Sequence, residues 1–173
     1  MLAYVQSLLD RLGERDPMVV QAETVPAIRR VVQGMSADAL HRPERPGKWS
    51  VAAVVRHLAD NEWVHGWRYR RILTEEQPEI SGYDQDVWSA RFGYDGAEFA
   101  ESLALFDTLR RANLRLLAAL GPEELARTGR HAERGEESVE RMRRLLAAHD
   151  LVHLEQIARI RTAVAAQESL PKT

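Results

Sequence analysis

The chain has 173 residues, close to the usual size of one domain, and 45% of them are hydrophobic, which argues against wholesale disorder. It contains no cysteine, so disulfides, thiolate metal sites and a cysteine nucleophile are excluded. A net charge of −2 gives no overall attraction for nucleic acid or for an anionic membrane.

The start of the chain and its hydropathy predict a cytoplasmic location. The N-terminal segment carries a charge at Asp10 and lacks the basic start and apolar stretch of a signal peptide. No apolar run reaches the ~20 residues that a membrane-spanning helix needs. We therefore expect a soluble protein that acts on a small molecule and has no nucleic-acid or membrane partner.

Alanine and leucine dominate the sequence, and apolar residues recur with a period close to 3.6, which predicts an all-α domain. A short amphipathic segment, Leu2–Leu12, comes first. The first long helix should run from about Asp16 to Gly34, because Asp16 fits an N-cap, Pro17 the first helical position and Gly34 the far end.

The second helix is predicted over about Val51–Thr74, with Ser50 as its N-cap. Residues 75–95 then form a connection that is long for a compact bundle, with one helical turn near Asp86–Arg91. Long connections of this kind are often functional or cross the bundle.

The third helix should extend from about Gly96 to Leu120, and its apolar stripe leaves open whether Leu109 or Arg110 faces inward. Residues 127–137 contain two glycines and predict a loop or loose hairpin, and Ser138 then caps a fourth helix that reaches about Ala166. Four long helices predict a four-helix bundle, and we expect one domain over residues 1–173 with its core at about 16–166.

Histidines are the chemically informative residues. His149 and His153 are four residues apart in the fourth predicted helix, so they project from one face, one turn apart, as metal-binding pairs do. His57 lies near the apolar stripe of the second helix and is either a buried core histidine or a ligand. Together, three imidazoles would leave coordination positions open for water or substrate, and they suit zinc, nickel or ferrous iron.

The sequence resembles the DinB-like superfamily of four-helix-bundle metalloenzymes in nearly its whole length, in order and spacing. The matching stretches are Gly47–Val51, His57–Glu62, Arg68, Thr128–His131, Gly135–Val139 and His149–Ile157. The resemblance implies an up-down-down-up bundle, with residues 75–95 as the long connection between its second and third helices. It also implies that His57, His149 and His153 hold a divalent metal, zinc or nickel.

Four further residues are candidates for the site. Gln156 lies on the face of His153 and is expected to orient a ligand. Glu62 matches the family pattern and is either a general base or part of an interhelical ion pair. Arg68 also matches, and it faces either a pocket, where it would bind the carboxylate of a thiol cofactor, or Glu62. His65 has the position for a fourth nitrogen ligand.

Other polar residues carry weaker signals. Asp150 is interpreted as an exposed or interhelical charge, whereas His41 and His131 fall in predicted loops and are expected to be solvated. The four aromatic residues around the second helix and the connection are expected in the core or at an interface (Trp63, Trp67, Tyr69 and Trp88).

Three functions are compatible with these features. The first is a metal-dependent transferase that uses a low-molecular-weight thiol, bacillithiol-like or mycothiol-like, on an electrophile, as the resemblance implies. The second is a metal-dependent hydrolase with Glu62 or Asp60 as base. The third is a non-enzymatic stress-response module that pairs with a second copy, and a homodimer is expected in any case.

Overall fold

The computed structural model describes residues 2–169, and within this range the chain is mainly helical. Its helices are α1 (Leu2–Leu12), α2 (Pro17–Val31), α3 (Ala37–His41), α4 (Val51–Thr74), α5 (Gln85–Phe92), α6 (Phe99–Ala118), α7 (Pro122–Ala126) and α8 (Val139–Glu168), with a 3₁₀ turn at Tyr94–Gly96. The strands are β1 (Glu79–Ile80), β2 (Thr128–His131) and β3 (Gly135–Ser138).

The predicted caps begin the three helices for which the sequence indicated them. The Asp16 side chain accepts a hydrogen bond from the backbone N–H of Met18, and Pro17 occupies the first position of α2. Ser50 and Ser138 accept from backbone N–H groups three residues on, at 3.2 and 3.1 Å. Each cap satisfies an N–H that the helix itself leaves unpaired, so the starting points are determined locally.

The four long helices α2, α4, α6 and α8 form an up-down-down-up bundle, as predicted. Glu62 and Gly66 of α4 meet Arg110 and Asn113 of α6 in the same order along both helices, so α4 and α6 are parallel. The hydrogen bonds between α2 and α8 also follow the same order along both helices, so these two helices are parallel. They join Gln21 to Arg143, Thr24 to Asp150 and, just beyond the end of α2, Gln33 to Arg161. By contrast, α4 and α8 run in opposite directions: residue 57 faces 153, and residue 61 faces 149.

The segments between the long helices contain more structure than the sequence predicts. The connection from α4 to α6 holds β1, α5 and the 3₁₀ turn rather than one helical turn. The predicted loop or hairpin at 127–137 is an antiparallel β2–β3 hairpin, and β1 pairs with β2 in parallel to make a three-stranded sheet. Strands of two to four residues are too short to show an alternating pattern.

The main apolar core lies between α2, α4, α6 and α8. It includes Ile28, Leu58, Phe106 and Ile160, each 1% exposed or less. On α6 the inward position that the sequence left open belongs to Arg110, which is 2% exposed. The bundle therefore encloses a charged side chain, and its partners on other helices determine whether it can remain there.

The aromatic residues of α4 divide between the core and the surface. Tyr69 is fully buried, whereas Trp63 and Trp67 are 57% and 59% exposed and lie one turn apart. These two indoles are available to a second copy of the chain, and the homodimer stays a prediction that a mass measurement in solution would test. Among the described helices, none is both long and apolar enough to cross a membrane.

Candidate metal centre

The side chains of His57, His149 and His153 meet between α4 and α8. The Nε2 atom of His149 lies 3.2 Å from Nε2 of His57 and 3.0 Å from Nε2 of His153. One ligand nitrogen from each residue falls within 4.8 Å of the others. The antiparallel pairing of the two helices produces this convergence, because it brings residue 57 level with the turn between residues 149 and 153.

The donor set and its spacing fit a divalent cation. Ligand nitrogens about 2.0–2.1 Å from a metal lie roughly 2.9–3.4 Å apart in cis-octahedral or tetrahedral geometry, which matches the distances found here. His153 donates its Nδ1–H to the Gln156 side-chain oxygen at 2.7 Å, so its Nε2 carries a lone pair. A cation at the centre of the three nitrogens would satisfy lone pairs that otherwise face one another.

Burial keeps the three imidazoles in the neutral form that metals bind. It lowers the pKa of His57 to about 3, with His153 and His65 contributing to the decrease. Burial also lowers the pKa of His149 well below the usual value and that of His153 below it. Near neutral pH all three rings are therefore unprotonated at one nitrogen and able to act as ligands.

Side chains behind His149 and His153 hold two of the three rings in place, whereas Nδ1 of His57 has no partner among the described residues. Gln156 is bound to His153 as the sequence predicted. The Asn61 amide lies 3.3 Å from Nδ1 of His149 and accepts a hydrogen bond from the Tyr83 hydroxyl. Rotating that amide by half a turn would let its oxygen accept the Nδ1 proton that a metal-bound imidazole carries, and its Nδ2–H would then donate to the Tyr83 hydroxyl oxygen. The sequence indicated no role for Asn61, because its partner comes from another helix.

The three histidines lie in the wall of a cavity of about 810 Å³. This cavity is bounded by α1, α4, α8, the β2–β3 hairpin and residues 81–84, a segment between β1 and α5 that we call the strap after β1. The short N-terminal helix contributes Val5 and Leu8 to the wall, so it is part of the site. A space of this volume can hold a small-molecule substrate beside the histidines.

Arg68 and His65 also line the cavity. The Arg68 guanidinium faces the cavity rather than Glu62, and its Nη2 donates to the Ser81 carbonyl at 2.6 Å. The Nδ1 atom of His65 donates to the Asn61 carbonyl at 2.9 Å, and the residue lies outside the three-histidine cluster. The structure therefore does not bring His65 into position as a fourth ligand.

Glu62 does not line the cavity. Its carboxylate accepts hydrogen bonds from Arg110 at 2.9 Å and from Asn113 at 2.9 Å, and the residue is fully buried. The geometry therefore places it in an interhelical ion pair, the alternative to a general base. Asp150 is also an interhelical charge, since it pairs with Arg110 at 2.6 Å.

His131 is placed differently from the prediction. It belongs to β2, is 2% exposed and lines the cavity, whereas a solvated loop residue was expected. His41 is half-buried at the end of α3, and its ring bridges the carbonyls of Ala37 and Ala97. Short strands and long-range packing, neither visible in the local sequence, account for both differences.

Acidification is expected to destabilise the metal-free protein. The folded pKa values of His57 and His65 are about 3, below the usual 6.5, so the unfolded chain binds more protons between these values. Stability present above pH 6.5 is then lost as the pH falls towards 3, at about 1.4 kcal/mol per pH unit for each histidine. Urea unfolding across this range, with a chelator present, measures the slope.

A His65→Gln variant is the control for this slope, because His65 lies outside the three-histidine cluster. The variant should reduce the slope of the free energy of unfolding against pH by the contribution of about one proton, since one buried neutral imidazole is removed. A wild-type stability that stays constant between pH 6.5 and 4.5 would contradict the assignment of neutral, buried imidazoles.

Comparisons with known proteins agree with this architecture. The chain is 31% identical over 130 residues to "Putative metal-dependent hydrolase OB0782" of Oceanobacillus iheyensis, covering 75% of each protein. It is 34% identical over 121 residues to "Putative metal-dependent hydrolase YfiT" of Bacillus subtilis, covering 69% of this chain and 68% of that one.

The solved structure of Bacillus subtilis YfiT superposes with a TM-score of 0.77 at 28% identity, covering 90% of this chain and 87% of that chain. It is described as "a probable metal-dependent hydrolase with an unusual four-helix bundle topology". The sequence profile of the DinB superfamily matches residues 22–157, a span that includes all three histidines. The chain belongs to the DinB superfamily.

Proposed function

We propose that this protein is a metal-dependent enzyme that transfers a low-molecular-weight thiol to an electrophilic small molecule. The observation that carries the proposal is the convergence of the His57, His149 and His153 Nε2 atoms in the wall of a substrate-sized cavity. The three residues would hold zinc, nickel or ferrous iron and leave coordination positions towards the cavity.

A divalent metal at this position supplies Lewis acidity, which lowers the pKa of a thiol or a water bound to it. The chain supplies the remaining functions. Gln156 and Asn61 orient His153 and His149, and Tyr83 holds Asn61 in turn. Helix α1 and the strap after β1 complete the cavity wall.

The acidic residues of the cavity favour a thiol over water as the nucleophile. Asp84 caps α5, Glu137 is held by Arg134 at 2.7 Å through both oxygens, and Glu133 is exposed. Two bases were predicted for a hydrolase. Glu62 is bound by Arg110, and Asp60 pairs with Arg56 at 3.0 Å and accepts from the Tyr94 hydroxyl at 2.7 Å. A thiol with a pKa near 8.5 ionises with far less assistance from a base than water does.

Hydrolysis is the second candidate, because the relatives in Oceanobacillus iheyensis and Bacillus subtilis are both named as metal-dependent hydrolases. In this chain a hydrolase would have to use the metal alone to activate water, recruit a carboxylate that is now paired, or use Glu133, an exposed acid of the cavity. The two candidates therefore differ in whether turnover depends on added thiol.

Turnover of an electrophile with and without thiol tests the proposal. We would load the full-length chain with zinc, nickel or ferrous iron and follow conjugation of a fluorogenic electrophile by bacillithiol, mycothiol and simpler thiols. We expect turnover that requires both metal and thiol and that is lost in His149→Ala. Turnover without thiol would support hydrolysis, and no turnover in any arm would favour a non-enzymatic module.

His41→Ala is the matched control for this assay, because His41 lies outside the cavity and binds only backbone carbonyls. It should keep the activity of the wild type. We also retain the sequence-based proposals of a cytoplasmic location and a homodimer.

A further inference from the structure

Besides Nδ1 of the candidate ligand His57, two buried hydrogen-bond donors in the cavity wall have no acceptor within residues 2–169. They are Nε of Arg68 and Nε2 of His131, in side chains that are 5% and 2% exposed. Both residues line the same cavity as the three histidines. Buried polar groups in native proteins are nearly always paired, so two unpaired donors in one cavity wall call for a ligand.

The hydrogen bonds around these residues identify both atoms as donors. The backbone N–H of Glu133 donates to Nδ1 of His131 at 3.2 Å, so in the neutral ring the proton is on Nε2. Burial lowers the pKa of His131, which keeps the ring neutral. The Arg68 guanidinium is always charged, and Nη2 already donates to the Ser81 carbonyl, which leaves Nε–H free to donate.

The charges near these donors leave Arg68 without a carboxylate partner. Glu137 is the buried acid on this side of the cavity, and it forms a two-oxygen ion pair with Arg134 and a longer contact of 4.0 Å with Arg141. Among the described residues, no acidic oxygen lies within 4.0 Å of Arg68. A buried cation without a counter-ion favours an anionic ligand.

The strap after β1 covers the two donors. Ser81 accepts from Arg68, and a Cβ atom built on Gly82 would lie 3.6 Å from Cε1 and 3.8 Å from Nε2 of His131. The strap therefore lies close to the imidazole, and a side chain at position 82 would occupy space beside Nε2 of His131. A ligand that engages both donors must approach beside this strap or displace it.

We propose that Arg68 and His131 form a subsite for the carboxylate group of a small-molecule substrate. The guanidinium supplies the charge and one N–H, and the neutral imidazole supplies a second N–H. The subsite would orient a carboxylate-bearing substrate in the cavity that also contains the three histidines. This inference rests on the proposed function in that it treats the cavity as a substrate site, but anion binding by the two donors does not require a metal.

Side-chain NMR of the full-length, metal-free protein tests the subsite directly. We would titrate succinate, its neutral analogue succinamide and inorganic phosphate, and follow the Nε–H signal of Arg68 and the Nε2–H signal of His131. We expect saturable shifts of both signals with succinate, none with succinamide and weaker binding of phosphate. Phosphate binding without succinate binding would overturn the carboxylate assignment.

Three variants separate the subsite from nonspecific effects. Arg68→Lys and His131→Phe each remove one donor and should weaken succinate binding about 10-fold or more. Gly82→Ala removes no donor but adds a Cβ in van der Waals contact with His131, and we expect a loss of affinity. Because Gly82 is exposed, this variant keeps the test decisive if the two buried substitutions fail to fold.

Arg71→Lys is the matched control, since Arg71 lies three residues from Arg68 on the same helix and pairs with Glu75 outside the cavity. Succinate binding with equal affinity in the control, Arg68→Lys and His131→Phe would overturn the proposal, as would the absence of any saturable shift. Repeating the titration with zinc-loaded protein, beside the turnover assay, distinguishes the carboxylate subsite from the proposed thiol transfer. Succinate binding without thiol-dependent turnover would contradict the proposed function and leave the subsite intact.

Discussion

His149→Ala is expected to abolish stoichiometric metal binding. His149 is the central member of the cluster, because its Nε2 atom lies within 3.2 Å of the ligand nitrogens of both His57 and His153. Its removal leaves two imidazoles, and we expect the metal affinity to fall by more than the roughly 10–100-fold that loss of an outer hydrogen-bond partner causes. Elemental analysis and calorimetric titration of the purified protein measure this change.

Two variants provide the scale for that result. Gln156→Ala removes only the acceptor of the His153 Nδ1 proton and should weaken metal binding by about 10–100-fold without abolishing it. His41→Ala should bind metal as the wild type does, since His41 is absent from the cavity wall. If His149→Ala is folded by circular dichroism and still holds near-stoichiometric metal, the assignment of the three histidines as ligands is wrong.

Arg110→Met is expected to cause a large loss of stability. The Arg110 guanidinium binds Glu62, the Asp150 carboxylate and the Gln21 carbonyl, and both carboxylates are fully buried. Methionine preserves much of the volume but leaves two acids without a counter-ion. We expect the free energy of unfolding to fall by about 3–5 kcal/mol, a large fraction of the stability of a typical domain.

Arg111→Met is the matched control, because Arg111 is the next residue, has a side chain 63% exposed and pairs only with Asp107 at 3.5 Å. Urea unfolding should show a change of about 1 kcal/mol or less for this variant. A combined Arg110→Met, Glu62→Gln and Asp150→Asn variant should recover part of the loss, because no buried charge remains unpaired. A loss below about 1 kcal/mol in Arg110→Met would mean that water or rearrangement compensates the two carboxylates.

This ion cluster also bears on the metal centre. Arg110 joins Glu62 on α4 to Asp150 on α8, and Asp150 is the neighbour of His149. The same cross-link therefore helps to hold α4 and α8 in the register that brings His57 and His149 together. We expect Arg110→Met to lower metal affinity as well as stability, even though Arg110 does not line the cavity.

The sequence predicted the features that depend on local physics. The starts of α2, α4 and α8 follow from side-chain caps at Asp16, Ser50 and Ser138, which act over two or three residues. The predicted extent of α4, about Val51–Thr74, agrees with the structure because Ser50 caps its start and Pro78 follows soon after its end. The placement of His149 and His153 on one side of α8 also follows from local geometry, since residues four apart share a helix face.

Features that depend on a partner from a distant part of the chain were not predictable in this way. Arg110 at an inward position is unfavourable until Glu62 and Asp150 neutralise it from two other helices. His131 becomes buried only when its short strand pairs with β1 and β3. The choice between ion pair and general base for Glu62, and between pocket and ion pair for Arg68, was likewise made by packing between helices.

The sequence by itself thus determined the helical class and the starts of α2, α4 and α8. Through the spacing of three histidines and the family resemblance, it also determined the composition of the candidate metal centre. Only the tertiary structure decided that the three nitrogens meet, that Glu62 is withdrawn from the cavity and that Arg68 and His131 share its wall. The physical reason is the distance along the chain over which each interaction acts. Caps and helix periodicity act within a few residues, whereas a site between antiparallel helices depends on their register, which long-range packing and buried ion pairs establish.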